Sequence, residues 1–171
     1  SSKENLKILS GTLSAMEVIE YKRTKYDCAI VYYENIKVLI PIQEMGIEKN
    51  RKYLRNMLGS IIDFIIIEID EESKMAIASR KKAMEIKQKI EFTKYSKNDI
   101  VEAVVISVGI KHIKINCLGK DLNLRIDELD YGYIQDINDY YSVGDIIKVL
   151  ILEVDKESYN LKVSVKALKE D

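Results

Sequence analysis

The residues able to do chemistry here are few in type. The chain has one histidine, His112, and two cysteines, Cys28 and Cys117. One imidazole cannot build a multi-histidine metal site, nor can it serve as base to two cysteines lying in separate parts of the chain. There is no phosphate-cradling Gly-x-x-x-x-Gly-Lys-Ser/Thr loop, no Gly-x-Gly-x-x-Gly and no Cys-x-x-Cys. Carboxylates are abundant, yet they fall in turn-like and helical stretches, and no spacing matches a metal cluster or a glycosidase pair. The residues left over suit binding. His112 and Lys114 are two apart, which places them on one face of a strand. Two basic clusters, Lys49, Arg51, Lys52 and Arg55, and Lys81, Lys82, Lys87 and Lys89, read more simply as solvated helix faces than as dedicated phosphate sites. Lys81 stands apart because it belongs to a Ser-x-Lys motif, Ser79-Arg80-Lys81. The inventory points to a binding protein and not an enzyme, with neither cofactor nor metal.

The elements that position these residues occur twice. Gly59, the run Ile61 to Ile69, the acidic turn Asp70-Glu71-Glu72-Ser73 and Ser79-Arg80-Lys81 return as Gly144, the run Ile146 to Val154, Asp155-Lys156-Glu157-Ser158 and Ser164-Val165-Lys166. They align without a gap at a separation of 85 residues. The Ile/Val/Leu runs fit a buried pleated surface and the Asp/Ser clusters are turn chemistry, so each copy is expected to be a β-hairpin.

A chain of 171 residues with 47% hydrophobic content can bury two small cores. The expected division is a first domain over 1–80, a helical linker over 81–95, where Ala83, Ile86 and Ile90 form one apolar stripe, and a second domain over 96–171. No apolar run is long enough to span a bilayer, and the opening residues do not read as a secretory leader. The cysteines sit in strand-like runs of different repeats and read as buried small apolar residues, which suits a reducing, cytoplasmic setting. Net charge is −1, divided as 17 basic against 14 acidic residues over 1–95 and 10 against 14 over 96–171. Any claim on nucleic acid must therefore rest on local patches.

In the first half, Leu6 to Glu20 reads as a long strand bent at Gly11, followed by the basic loop Tyr21 to Lys25. Strands over Tyr26 to Tyr33 and Ile36 to Ile42 come next, then a short helix within Ile47 to Leu58. The second half repeats this order with strands over Ile100 to Val108, His112 to Cys117 and Leu122 to Ile126. Its insertion, Asp130 to Val143, is acidic and rich in tyrosine. Five short strands with an insertion between the third and fourth is the order of the OB-fold, a five-stranded Greek-key barrel. The expected fold class is all-β: two tandem five-stranded OB barrels, with short helices between strands three and four and in the linker.

Arg125-Ile126-Asp127-Glu128-Leu129, Val143-Gly144-Asp145, Val154-Asp155 and Ser164-Val165-Lys166 together resemble the S1 domain, the RNA-binding module named after ribosomal protein S1. Pro41-Ile42-Gln43-Glu44-Met45, Gly59, Ile69-Asp70 and Ser79-Arg80-Lys81 are similar in the first half. The resemblance implies single-stranded RNA bound on the barrel face made by strands two and three, with single-stranded DNA as the open alternative, and a role in translation or RNA metabolism. It places His112 at the family's aromatic position and Arg125 at its histidine position, both flat groups on which a base can stack. Lys114, Lys166, Lys81 and Arg80 are then the expected phosphate contacts. In the first half Pro41 stands at the histidine position and the aromatic position falls near Ala29, which leaves its stacking site open: Tyr26, Tyr32 and Tyr33 either substitute there or belong to the core and rim.

A second reading takes the chain as a protein-interaction module. Tyrosine is enriched at interfaces, and the loop Asp130 to Val143 suits a protein partner better than RNA, with the ribosome or an RNA-processing enzyme as the docking surface.

Overall fold

The computed structural model describes residues 6–169, which fold as two compact units, 1–84 and 85–171. In the first unit β1 (Leu9–Tyr21), β2 (Thr24–Tyr33), β3 (Ile36–Pro41), β4 (Ile61–Asp70) and β5 (Met75–Ser79) close into a barrel in the order β1-β2-β3-β5-β4. Strand β1 is long enough to serve two neighbours. Leu9 to Thr12 pair with β4 and Leu13 to Tyr21 pair with β2, with a register shift between Leu13 and Ala15 where the strand turns the corner. Gly11 permits that corner. A Cβ there would lie 2.5 Å from Val31 Cγ1, so no larger residue fits beneath the crossing strand. Leu13, Ala29, Val31, Val38, Ile40 and Phe64 are fully buried, and Tyr33 meets Phe64 edge to face at 5.8 Å.

The parallel ladder Lys37↔Met75, Val38↔Ala76 and Leu39↔Ile77 closes this barrel. Helix α1 (Arg51–Asn56) fills the insertion between β3 and β4, and the Asn50 side chain caps it by accepting from the Lys52 amide at 2.8 Å.

Helix α2 (Arg80–Glu91) follows β5 directly, and the division between the units falls inside it. In the second unit β6 (Ile100–Val108), β7 (His112–Cys117), β8 (Lys120–Arg125), β9 (Ile146–Asp155) and β10 (Asn160–Ser164) form one sheet in the order β10-β9-β6-β7-β8. This is the first unit's strand order without the last ladder: among the described residues β8 and β10 are not paired, so the barrel is nearly closed. Its core holds Val105, Ile113, Ile115, Val149 and Ile151, all fully buried. Phe92, within the stretch expected to be linker, belongs to this core and meets Tyr159 at 5.3 Å. The insertion between β8 and β9 carries two short 3-10 turns, Ile126–Glu128 and Ile137–Asp139, the second capped by Asp136.

The repeated hairpins match in detail. Gly59 and Gly144 have φ of 93° and 97°, which only glycine adopts without strain, and this explains why both repeats begin on glycine. Asp70 accepts from the amides of Glu72 and Ser73 at 3.1 and 3.4 Å; Asp155 accepts from those of Glu157 and Ser158 at 2.9 and 3.4 Å. Among the described residues no helix is long and apolar enough to cross a membrane.

Candidate nucleic-acid interface

Strand alternation places the expected site. On β7, Ile113 and Ile115 turn into the core, so His112, Lys114 and Asn116 take the opposite face. On β8 their register partners are Arg125, Asn123 and Asp121. His112 and Arg125 are therefore directly opposite one another, and both are exposed. The His112 ring folds back against Gly109, where a Cβ would stand 2.8 Å from its Cε1. The Gly109 amide also donates to the His112 carbonyl at 2.8 Å, tying the β6–β7 loop to the strand. That loop presents Ile110, 88% exposed. Sequence reading passed over Ile110, because a lone isoleucine in a loop gives no periodic signal.

Arg125 is not free-standing. Its Nε lies 3.4 Å from both Asp127 and Glu128, and its amide donates to Glu128 at 3.1 Å. All three side chains are well exposed, so these pairs are weak and a phosphate or a base can compete for the guanidinium. Lys166 donates to the Asp127 carbonyl at 3.4 Å and lies over the Tyr131 ring, 4.7 Å from its centroid. The run from β8 to Tyr131 thus gathers Arg125, Lys166 and an aromatic face. Tyr131 belongs to the loop expected to meet a protein partner, and the tertiary structure sets it beside Lys166.

The Ser-x-Lys motifs explain one correction. In both repeats the serine hydroxyl caps the turn that follows: Ser79 accepts from the Lys82 amide at 3.0 Å and Ser164 from the Ala167 amide at 2.9 Å. The residue after the serine then turns inward and the lysine outward. In the second unit the inward residue is Val165, 6% exposed; in the first it is Arg80, 1% exposed, which donates to the Met45 carbonyl at 2.9 Å. Arg80 is therefore an interior strut and not a phosphate contact. Lys81 is exposed and belongs to the first unit.

The register also corrects the match in the first unit. Cys28 pairs with Pro41 as His112 pairs with Arg125, so Cys28 holds the equivalent position, while Ala29 is buried on the core side. Both cysteines are free and buried. Burial, with a smaller effect from Asp27 and Glu17, pushes the Cys28 thiol up to about 11, and burial pushes that of Cys117 to about 12. Neither is a nucleophile near neutral pH.

With this geometry in hand, residues 94–166 match the model of the S1 RNA binding domain family. The second unit is an S1 domain. Across both units the chain is similar to curated proteins of two kinds. It is 29% identical over 150 residues to a 4-hydroxy-3-methylbut-2-enyl diphosphate reductase of Clostridium acetobutylicum, a match covering 83% of this chain and 23% of the reductase. It is 25% identical over 156 residues to the small ribosomal subunit protein bS1 of Helicobacter pylori, covering 90% of this chain and 28% of that protein. The chain thus spans about a quarter of the length of these relatives. Among solved structures, that of GSP13 from Bacillus subtilis is 25% identical, with a TM-score of 0.35, over 43% of this chain and 57% of that one. The matched family is an RNA binding domain.

Proposed function

We propose that the chain binds single-stranded RNA through the outer face of β7 and β8 in its S1 domain. The observation that carries this reading is the exposed register pair of His112 and Arg125, two flat groups side by side on the strand face. Bases stack on these two, at about 1–3 kcal/mol each. Lys114 on the same face and Lys166 beside Tyr131 neutralise phosphates. Single strands suit the site because stacking needs unpaired bases, and a duplex hides them. The kinship with ribosomal protein bS1 supports a role in translation or RNA metabolism.

With two phosphate contacts, log affinity for an oligouridylate falls against log salt with a slope of about −1.4, since each contact contributes roughly −0.7 on a single strand. Titration by fluorescence anisotropy at several salt concentrations measures it. A flat salt response, or a duplex bound as tightly as the single strand, overturns the reading.

One observation favours a second reading, docking onto a protein of the ribosome or an RNA-processing enzyme. Tyr133 and Tyr140 in the β8–β9 insertion are 91% and 59% exposed, more than base stacking on β7 and β8 requires. Replacing both with serine separates the two, because RNA affinity then stays unchanged.

A further inference from the structure

The face of the first unit that corresponds to the RNA face of the second is apolar and concave. Cys28, Ile30 and Leu39 lie on it, 3%, 0% and 7% exposed, and form an apolar cluster distinct from the barrel core, with Ala15, Ile19, Tyr26 and Met75 packed against it. A cleft opens there in two lobes, of about 140 and 300 Å³, which share Ile19, Tyr21, Leu39 and Ile77. The smaller lobe is walled by Tyr26 and Pro41 and has no charged residue in its lining. The larger lobe is rimmed by Glu20, Glu68 and Asp70. Asp70 is occupied by its turn, but Glu20 and Glu68 are exposed and neither forms an ion pair among the described residues. On β2 Lys25 is the register partner of Glu20, Lys22 leans over Tyr21 at 5.2 Å, and Lys37 is taken by Glu17 at 2.9 Å.

We propose that this cleft seats a short peptide segment of a partner protein. An aliphatic or aromatic side chain fills the smaller lobe, and a neighbouring lysine or arginine lies against Glu20 and Glu68. Two features select a peptide over nucleic acid. The lobe that would take a flat group offers no polar atom to the edge of a base, whereas an apolar side chain has no edge to satisfy. The rim is anionic, which attracts a basic residue and repels a phosphate. The same barrel face thus reads RNA in one unit and protein in the other.

The test uses the full chain with 13C-labelled isoleucine and leucine methyl groups. The probes are the capped peptide Gly-Phe-Lys-Leu-Lys-Gly, its counterpart with glutamate for lysine, and octauridylate. The expected result is that the basic peptide shifts the methyl signals of Ile19, Leu39 and Ile77, that the acidic peptide does not, and that the E20Q/E68Q variant weakens binding at least about fivefold. Both glutamates are exposed, and an unchanged methyl spectrum of the free variant confirms its fold. The proposal is overturned if the basic peptide leaves those three signals in place, if E20Q/E68Q binds it as well as the original chain, or if octauridylate shifts them as strongly. The RNA reading is scored separately in the same samples by the His112 ring signals, so either can fail alone.

Discussion

The two units carry the same barrel face with opposite chemistry. On β7 and β8 the outward pairs are His112↔Arg125, Lys114↔Asn123 and Asn116↔Asp121; on β2 and β3 the corresponding pairs are Cys28↔Pro41, Ile30↔Leu39 and Tyr32↔Lys37. The inward pairs are apolar in both units, with Ile113↔Leu124 and Ile115↔Leu122 against Ala29↔Ile40 and Val31↔Val38. Burial holds the interior to apolar residues, because a polar group left unpaired there costs about 1–3 kcal/mol. The outer face has no such tenant and is free to diverge. A duplicated barrel therefore keeps an apolar core and its turns while its two outer faces differ in chemistry.

That contrast is broken most decisively at the stacking pair. The double variant H112A/R125A is expected to lose at least about 30-fold in affinity for an oligouridylate, the effect of removing two stacking groups worth 1–3 kcal/mol each. The matching change in the first unit, C28A with P41A, leaves RNA affinity unchanged. Anisotropy titrations of both variants decide it, and an equal loss in the two would erase the distinction between the faces.

Next in size is the inward residue of Ser-x-Lys. Arg80→Ala removes a buried side chain and leaves the Met45 carbonyl without its donor, so it lowers stability by about 2–4 kcal/mol with little effect on RNA affinity. Lys81→Ala, at the exposed neighbour, leaves urea denaturation unchanged. If Arg80→Ala instead melts like the parent chain, the strut reading is wrong.

A smaller effect sharpens the picture of Arg125. Replacing Asp127 and Glu128 with their amides frees the guanidinium from two exposed pairs worth up to about 1 kcal/mol together and removes two negative charges, so RNA affinity rises two- to fivefold. A fall would show that the carboxylates hold Arg125 in its binding pose.

The smallest expected effect is one the two units share. Hydrogen bonds from Ser73 and the Glu72 amide hold the Asp70 carboxyl below the usual range, and those from the Glu157 amide and Ser158 do the same for Asp155. A carboxyl depressed on folding contributes stability that is present above its unfolded pKa, near 4, and is lost as pH falls through its folded value. Both hairpins are thus expected to loosen below about pH 4. D70N and D155N should blunt this loss equally in thermal melts at pH 3 and pH 6, and an effect in only one unit would mean that the turns are not equivalent.

Much of the fold was legible in the residues. The hairpins could be read because β-branched runs bounded by Gly and by Asp/Ser turns are local signals, and the constant 85-residue separation carried them from one unit to the other. His112 beside Lys114 was legible through strand alternation, while Arg125 opposite His112 came from the family pattern and its register from the sheet. The inward turn of Arg80 was hidden, because a Ser-x-Lys motif does not reveal which neighbour its cap drives into the core. So was Cys28: the longer β1–β2 hairpin blurred the strand parity by one residue, and a single step reverses the face.

By itself the sequence determined the number of barrels, the order of their strands, their turns and the inventory of groups able to act, because these depend on local conformational preference and on a repeat that can be counted. Tertiary structure alone decided which side chains face outward together. It buried Arg80, set Tyr131 beneath Lys166, and turned the first unit's β2–β3 face into an apolar cleft rimmed by carboxylates. Those outcomes depend on strand register and on the curl of β1 around the corner at Gly11, where residues far apart in the chain come within a few ångströms, and no local pattern encodes that.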